Sequence, residues 1–231
     1  MNLEIRIESL IEGARRAEGT VVIIDVYRAF SAEAVAFARG AEKIILVPSV
    51  DLAREIKSSG KAHLSMGEVH GIRPEGFDFG NSPWELSSAN VRGKTLVHST
   101  MAGTVGVNSA TKADCIYVGS LVLAQATVKA LLRDNPALVT LVAMGDGGKY
   151  RTDEDEQCAL YMRNLLEGRQ PDREAVRSLV MAGGQSKKYD DKSQPQYHPK
   201  DRSIALEVDS SPFAVKVGRE DGFLVSRPVY L

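Results

Sequence analysis

The sequence predicts an α/β protein: a three-layer α/β/α arrangement around a mostly parallel, mixed sheet, with an elaborated C-terminal third. Short β-branched and apolar runs alternate with helical segments through the first 145 residues, the βαβ repetition that builds a parallel sheet covered on both faces. After Gly145-Asp146-Gly147-Gly148 the pattern changes to consecutive helices, a polar stretch and a terminal hairpin. With 231 residues, no repeat and no clear linker, the chain reads as one domain over 1–231. Its motif-bearing part spans about 20–160; helices, polar loop and hairpin occupy 161–231.

Met1-Asn2-Leu3-Glu4-Ile5-Arg6-Ile7 alternates like a strand. Thr20-Val21-Val22-Ile23-Ile24 is a continuous run, the mark of a strand buried on both faces, and Asp25 ends it. Ser31 is placed to cap a helix through Phe37 and Ala38, closed by Gly40. Lys43 to Val47 is a strand, and Val50 to Ser58 a helix with Gly60 behind it. Ala62 to Met66 is a third strand, feeding the loop 67–83. Pro83 suits the first turn of a short helix, Trp84 to Ala89. Thr95 to His98 and Cys115 to Val118 are strands with a weak helix between them. Leu121 to Arg133 is an amphipathic helix, and Leu138 to Met144 an apolar strand. Helices follow from about Glu154 to Leu166 and Asp172 to Met181. Gly183 to Arg202, rich in Lys, Asp, Gln and Pro, reads as a mobile loop or lid. Phe213 to Val217 and Phe223 to Ser226 form a hairpin across Gly218 to Gly222.

Composition narrows the function classes. The chain is 43% hydrophobic and 26% charged, with 29 basic against 30 acidic residues and a net charge of −1. No global field draws it to nucleic acid or an anionic membrane. The N-terminus lacks a signal-peptide core, and no apolar run reaches membrane-spanning length. Cys115 and Cys158 are far apart in apolar settings and fit neither zinc nor a disulfide framework. A cytoplasmic protein is expected, with no nucleic-acid or membrane partner; a homodimer is the common default.

In open α/β sheets ligands bind beyond the carboxyl ends of the strands. Four polar or glycine-rich segments fall there: Asp25 to Ser31, the loop 67–83, Ser99 to Thr104, and Gly145 to Asp155. The loop 67–83 is the richest. It holds Glu68, Glu75, Asp78, His70, Asn81, Ser82 and four glycines without helical or strand periodicity, and a connection this long inside a compact fold usually has a function. Its residue types bind a hard cation or a phosphate. Asp25 is a strand terminator or a ligand at the rim; Arg28, three residues on, makes a combined anion and cation site with it. Ser99-Thr100-Met101-Ala102-Gly103-Thr104 opens a helix with hydroxyls and free N–H groups that suit an oxyanion. In Asp153-Glu154-Asp155-Glu156 the helix dipole accounts for some of the acids, and others can face the site. His63, His70, His98 and His198 show no zinc spacing; only His70 lies in the loop. Lys187-Lys188-Tyr189, followed by Asp190 and Asp191, reads as a solvated loop. Cys158, within an apolar helix, reads as a buried structural thiol. No Walker motif and no strand-linked GxGxxG occurs.

These segments together resemble the 2-phosphosulfolactate phosphatase family, Mg²⁺-dependent enzymes associated with coenzyme M biosynthesis. The resemblance rests on Asp25-Val26-Tyr27-Arg28-Ala29, Gly67-Glu68, Glu75-Gly76-Phe77-Asp78-Phe79-Gly80-Asn81-Ser82-Pro83, Thr100 with Gly103-Thr104, and Glu154-Asp155-Glu156-Gln157-Cys158-Ala159. Order and spacing hold over about residues 20–160, and the element around Phe77 to Pro83 is the most specific. Three departures stand out: Phe30 where the family usually has Thr after Arg-Ala, Val69 where Gly-Glu is usually followed by Arg, and Met101-Ala102 where it usually has Thr-Asn. The resemblance thus implies phosphatase chemistry more firmly than it implies the sulfonate substrate.

The resulting expectation is a Mg²⁺-dependent phosphomonoesterase acting on a small acidic metabolite. The resemblance implies Asp25, Glu68 and Glu154 or Asp155 as metal ligands. Arg28, Asn81, Ser82, Thr100, Gly103 and Thr104 are expected to hold the phosphate, and Asp25, Arg28 and Glu68 to carry the catalysis. Asp25 is alternatively a nucleophile forming an aspartyl-phosphate. The rival class is a non-catalytic phosphate- or carboxylate-binding protein on the same fold, motivated by Val69, Met101 and Ala102.

Overall fold

The computed structural model describes residues 3–231. Met1 and Asn2, the start of the expected first strand, lie outside the described residues. That strand is β1 (Glu4–Ser9), and it runs directly into α1 (Leu10–Arg16), a helix the sequence pattern had not marked. The strands that follow are β2 (Gly19–Ile24), β3 (Lys43–Val47), β4 (Leu64–Gly67), β5 (Thr95–Ser99), β6 (Ala113–Gly119), β7 (Leu138–Ala143), β8 (Phe213–Glu220) and β9 (Phe223–Tyr230). They form one nine-stranded sheet in the order β1-β7-β2-β6-β8-β9-β3-β5-β4. Five of its eight pairings are parallel, so the fold is the expected α/β class with a mostly parallel mixed sheet.

The C-terminal hairpin takes a place the sequence did not indicate. β8 and β9 enter the middle of the sheet, β8 antiparallel to β6 and β9 antiparallel to β3. Their connection is shorter than expected. Asp221 and Gly222, both at positive φ (49° and 84°), form a two-residue turn, and the strands extend to meet it. An Asp-Gly pair tolerates positive φ at both positions, the requirement of the turn whose twist matches a hairpin. Three successive antiparallel steps leave β3, β5 and β4 running opposite to β1, β7, β2 and β6. Even so, α5 (Gly103–Ser109) touches both β2 and β3, so the sheet curves to bring its two parallel halves together.

Helix α2 (Ala29–Ala38) sits inside that curve and is buried on nearly every side. Small alanines suit such a position, where an amphipathic helix would leave polar groups unsolvated. It begins two residues before the expected cap. Ser31 is inside the helix, and its Oγ donates to the Val26 carbonyl at 2.9 Å. On the outer face α3 (Val50–Ser58), capped by Ser49, packs near β4 and β5. The expected helix from Leu121 opens as a 3-10 turn, Leu121–Leu123, and continues as α6 (Ala124–Asp134). Helices α7 (Asp153–Leu166) and α8 (Arg173–Ala182) pack against each other.

The stretch 183–202 is not an open loop. It folds as a 3-10 turn, Gln185–Asp190, and leads into α9 (Pro199–Ala205). Tyr189 and Ser186 are buried, and α9 lies against the short α4 (Pro83–Ser87). Among the described residues no helix is long and apolar enough to cross a membrane.

Candidate active site

A cavity of about 320 Å³ lies where β2, β4 and β7 end. Its lining includes Asp25, Arg28, Glu68, Asn81 and Glu154, contributed by four separate stretches of chain.

Asp25 emerges from the buried run of β2. Its amide extends the ladder by donating to Gly119 O, and its carboxylate turns into the cavity. Oδ1 accepts the Ala29 amide at 3.0 Å, tying the acid to the start of α2. Gly103 approaches so closely that a Cβ there would lie 2.9 Å from Oδ2. Burial pushes the Asp25 carboxyl up to about 6; the Ala29 amide opposes that rise and the nearby Glu68 charge adds to it.

Glu68 follows Gly67, whose φ of +151° and missing Cβ let the strand pass the Ser99 carbonyl. The Glu68 carboxylate accepts the Gly71 amide on Oε2 (2.7 Å) and the Met101 amide on Oε1 (2.8 Å). It pins the loop after β4 to the turn after β5.

Glu154 is in the first turn of α7, 4% exposed, and its Oε2 has no hydrogen-bond partner among the described residues. Burial and then the Asp155 charge push its carboxyl well above the ordinary range. A desolvated carboxyl oxygen without a donor is costly unless it is protonated or meets a cation. Asp155 is different. Its Oδ1 accepts the Val26 amide and its Oδ2 the Gly145 amide, both at 2.8 Å, so it fastens the ends of β2 and β7 together and does not line the cavity. Successive helical residues point about 100° apart, so two adjacent acids face different surroundings. The remaining pair of the cluster also has local partners: Asp153 accepts the Gly184 amide, and Glu156 pairs with Arg151.

Arg28 is 3% exposed. Its Nη1 donates to Asp201 Oδ2 at 2.9 Å and to Gln196 O at 2.7 Å, and its Nη2 to Gly71 O at 3.1 Å. The guanidinium lies 5.1 Å from the Tyr197 ring centre. Asp201 is fully buried, and its Oδ1 accepts the Ser82 hydroxyl (2.6 Å) and the Trp84 amide (2.9 Å). One carboxylate therefore ties Arg28, α4 and α9 together. Trp84 and His198 stack alongside, 5.9 Å apart and inclined by 13°.

Asn81 lines the cavity with its Oδ1 turned to His98 Nε2 at 3.3 Å. His98 Nδ1 reaches Glu33 at 2.8 Å, and Ser226 donates to the other Glu33 oxygen at 2.8 Å. Among the described residues nothing accepts from Asn81 Nδ2, which leaves that amide free to act as a donor.

Of the residues expected from sequence, Asp25, Arg28, Glu68, Asn81 and Glu154 share the cavity, and His70 is at its edge. Ser82, Thr100, Gly103, Thr104 and Asp155 do not line it. The Ser82 Oγ caps α4, accepting the Glu85 amide while donating to Asp201. Thr100 and Thr104 satisfy one another, each amide donating to the other's hydroxyl at 2.8 and 3.1 Å. Gly103 serves as the close neighbour of Asp25. Asp78 braces the loop by accepting the Ser65 amide and the Lys57 ammonium, both at 2.6 Å. Cys158 is fully buried, and burial pushes its thiol well above the usual range, which makes it inert.

Several lining residues were not named from the sequence: Lys149 and Tyr150, within the flagged segment Gly145 to Asp155, Gln185 and Tyr197 from the stretch expected to be a mobile loop or lid, and Lys188, expected to be solvated. Asp201 was equally hidden. Pro199 after His198 is the usual start of a helix and could have located α9, though not the burial of its third residue.

The cavity's acidic oxygens belong to Asp25, Glu68, Glu154 and Asp146. Among the described residues no three His, Cys, Asp or Glu side chains are grouped tightly enough to surround an ion unaided.

A model of the 2-phosphosulpholactate phosphatase family matches residues 5–196. A protein of Bacillus subtilis (strain 168) named probable 2-phosphosulfolactate phosphatase is 30% identical over 206 residues, 87% of this chain and 87% of that one. A protein of the same name from Clostridium perfringens (strain SM101 / Type A) is 38% identical over 149 residues, 63% of this chain and 60% of the relative. Another from Carboxydothermus hydrogenoformans is 38% identical over 146 residues, 63% and 60% respectively. The chain thus spans about three fifths of the length of the Clostridium and Carboxydothermus relatives.

Proposed function

The chain belongs to the 2-phosphosulfolactate phosphatase family, and from that premise we propose that it is a Mg²⁺-dependent phosphatase releasing phosphate from a small acidic metabolite like 2-phosphosulfolactate. The observation that carries the reading is the partnerless Oε2 of buried Glu154 in the same cavity as an Asp25 carboxyl pushed up to about 6. Burial raises both carboxyls, the Glu68 charge adding to the rise at Asp25 and the Asp155 charge to that at Glu154, and a divalent cation would relieve such an environment.

The donor set suits Mg²⁺. All the candidate atoms are hard oxygens, and this ion keeps several waters while using only one or two carboxylates plus substrate phosphate. Glu154 and Asp25 would hold the ion, and when bound it supplies charge neutralisation at the phosphoryl oxygens and polarises a water.

The protein's own groups divide the remaining work. Arg28 is fixed by Asp201, Gln196 and Gly71 with no partner for its Nε–H among the described residues, and it would meet the phosphate as a preorganised cation. Asn81 offers its Nδ2 to a phosphoryl oxygen, its orientation set by His98. Glu68 holds the loop that closes the cavity and keeps the Gly71 and Met101 amides in place. Tyr197 and Tyr150 add aromatic surface to the cavity lining.

The test is phosphate release from a panel of phosphorylated three- and four-carbon acids, 2-phosphosulfolactate among them, with Mg²⁺ and with the metal chelated. Release that requires Mg²⁺ is the expected result. Measurable binding of these esters with no release from any would show a non-catalytic anion-binding protein instead.

A further inference from the structure

One cation in the cavity has no role in the reaction just described. Lys188 sits on the 3-10 turn Gln185–Asp190, half-buried, with its Nζ 4.6 Å from the Tyr197 ring centre. It donates to Gln185 Oε1 at 2.7 Å. Among the described residues no carboxylate pairs with it, although Asp190 and Asp191 follow two and three positions later. Asp190 is taken by Arg202, 2.6 Å away, and Asp191 by Ser193 and Gln194.

The seat of this ammonium is rigid. Tyr197 packs edge-on against buried Tyr189 (5.7 Å), which in turn packs against Tyr27 (5.0 Å). Tyr197 also receives the Arg28 guanidinium, so one ring gathers two cations at the same wall of the cavity. Holding a Lys side chain in one place costs rotamer entropy, and a ring plus a neutral amide offset only part of it. An ammonium ordered this way and left without a counter-charge is suited to taking the charge from a ligand. Lys149, on the turn after β7, lines the same cavity and likewise has no acidic partner among the described residues.

We propose that Lys188, seated on Tyr197, reads a second anionic group of the substrate, a carboxylate or sulfonate distinct from the phosphate, with Lys149 adding to the same field. The inference rests on the phosphatase reading and extends it from the reacting end of the substrate to its other end. Arg28 is spoken for by Asp201 and the phosphate, so the second charge falls to Lys188. Lys188 is then a specificity residue for the acidic end of the small acidic phosphomonoester already proposed.

The test uses a matched pair of esters differing only at that end: 2-phosphoglycerate, which carries a carboxylate, and 2-phosphoglycerol, which carries a hydroxymethyl group in its place. Binding to the Mg²⁺-loaded protein is measured by calorimetry and turnover by phosphate release, for the parent and for Lys188→Met and Lys188→Arg. Methionine keeps the apolar stem on the ring and removes the charge. The parent should favour 2-phosphoglycerate by about tenfold or more, the worth of one well-placed charge contact. Lys188→Met should abolish that preference through KM and affinity with kcat little changed, leave 2-phosphoglycerol untouched, and Lys188→Arg should restore most of it. A preference that survives Lys188→Met, or a parent with no preference or no binding of either ester, overturns the inference. A preference lost in Lys188→Met by calorimetry, with no phosphate released from any ester, supports the second-anion subsite and overturns the phosphatase reading instead.

Discussion

The floor of the cavity and its outer wall are built in different ways. The floor is acidic and local: Asp25 follows β2 directly, Glu68 follows β4, and Glu154 is in the first turn of α7. The wall is aromatic and cationic, and it reaches the site from residues 185–201, with Asp201 lying 173 positions from the Arg28 it holds. The family match ends at residue 196, so the floor and Lys188 of the wall lie inside it while Tyr197 and Asp201 lie beyond. The difference fits the proposed function: a metal-dependent phosphate release would need fixed oxygens on rigid strand ends, whereas the choice of substrate would tolerate changes in the segment packed over them.

The largest expected effect concerns the joint between the two regions. Asp201→Ala removes the carboxylate partner that Arg28 has among the described residues and leaves a guanidinium that is 3% exposed without that counter-charge. Breaking such a pair from one side costs about 3–5 kcal/mol. Urea unfolding should show that loss, together with loosening of α9 from α4. A variant as stable as the parent would mean the wall is not fastened by this contact, and the contrast drawn between joint and floor would fail. A smaller effect sharpens the same boundary. Ser82→Ala removes the cap of α4 and one donor to Asp201, a loss of about 1 kcal/mol. Its hydroxyl does not line the cavity, so turnover should stay within about twofold of the parent, in keeping with a structural residue. A tenfold or greater fall in kcat with an intact fold would return Ser82 to the phosphate site.

The floor was legible in the sequence because its signals are short-range. A carboxylate after five buried residues, or a Gly-Glu at the end of a strand, announces itself within a few positions, and Asp25 and Glu68 do so. Glu154 and Asp155 could not be separated that way. Their helical spacing says they diverge, but only the position of the Val26 and Gly145 amides decides which one is consumed. Thr100 and Thr104 illustrate the same limit, since a hydroxyl at a helix start suits a phosphate and a neighbouring amide equally well. The hairpin was legible from its Asp-Gly turn and alternating residues, whereas its place between β6 and β3 depends on pairings over more than a hundred residues. The wall was read as a polar loop because its burial comes from contacts with Arg28, Ser82 and Trp84, none of which is close in sequence.

The charge on Asp25 links stability to pH in a way that can test the proposed metal site. Its folded carboxyl is raised from 3.8 to about 6, so the metal-free protein gains from the protonated form below about pH 4 and loses that gain as the pH rises through about 6. The size is on the order of 3 kcal/mol, since each pKa unit corresponds to about 1.4 kcal/mol. A cation bound there reverses the trend above that range, because it favours the ionised acid.

Melting curves of the parent and of Asp25→Asn, each with and without Mg²⁺ at about pH 5 and about pH 7.5, test the central claim most directly. The parent should gain several degrees from Mg²⁺ at the higher pH and little at the lower. Asp25→Asn should melt near the metal-free parent at about pH 5 and above it at about pH 7.5, where the parent's buried acid is ionised, gain nothing from Mg²⁺ at either pH and release no phosphate. An Asp25→Asn variant that is stabilised by Mg²⁺ as strongly as the parent would contradict the acidic floor as the seat of the metal and of the reaction.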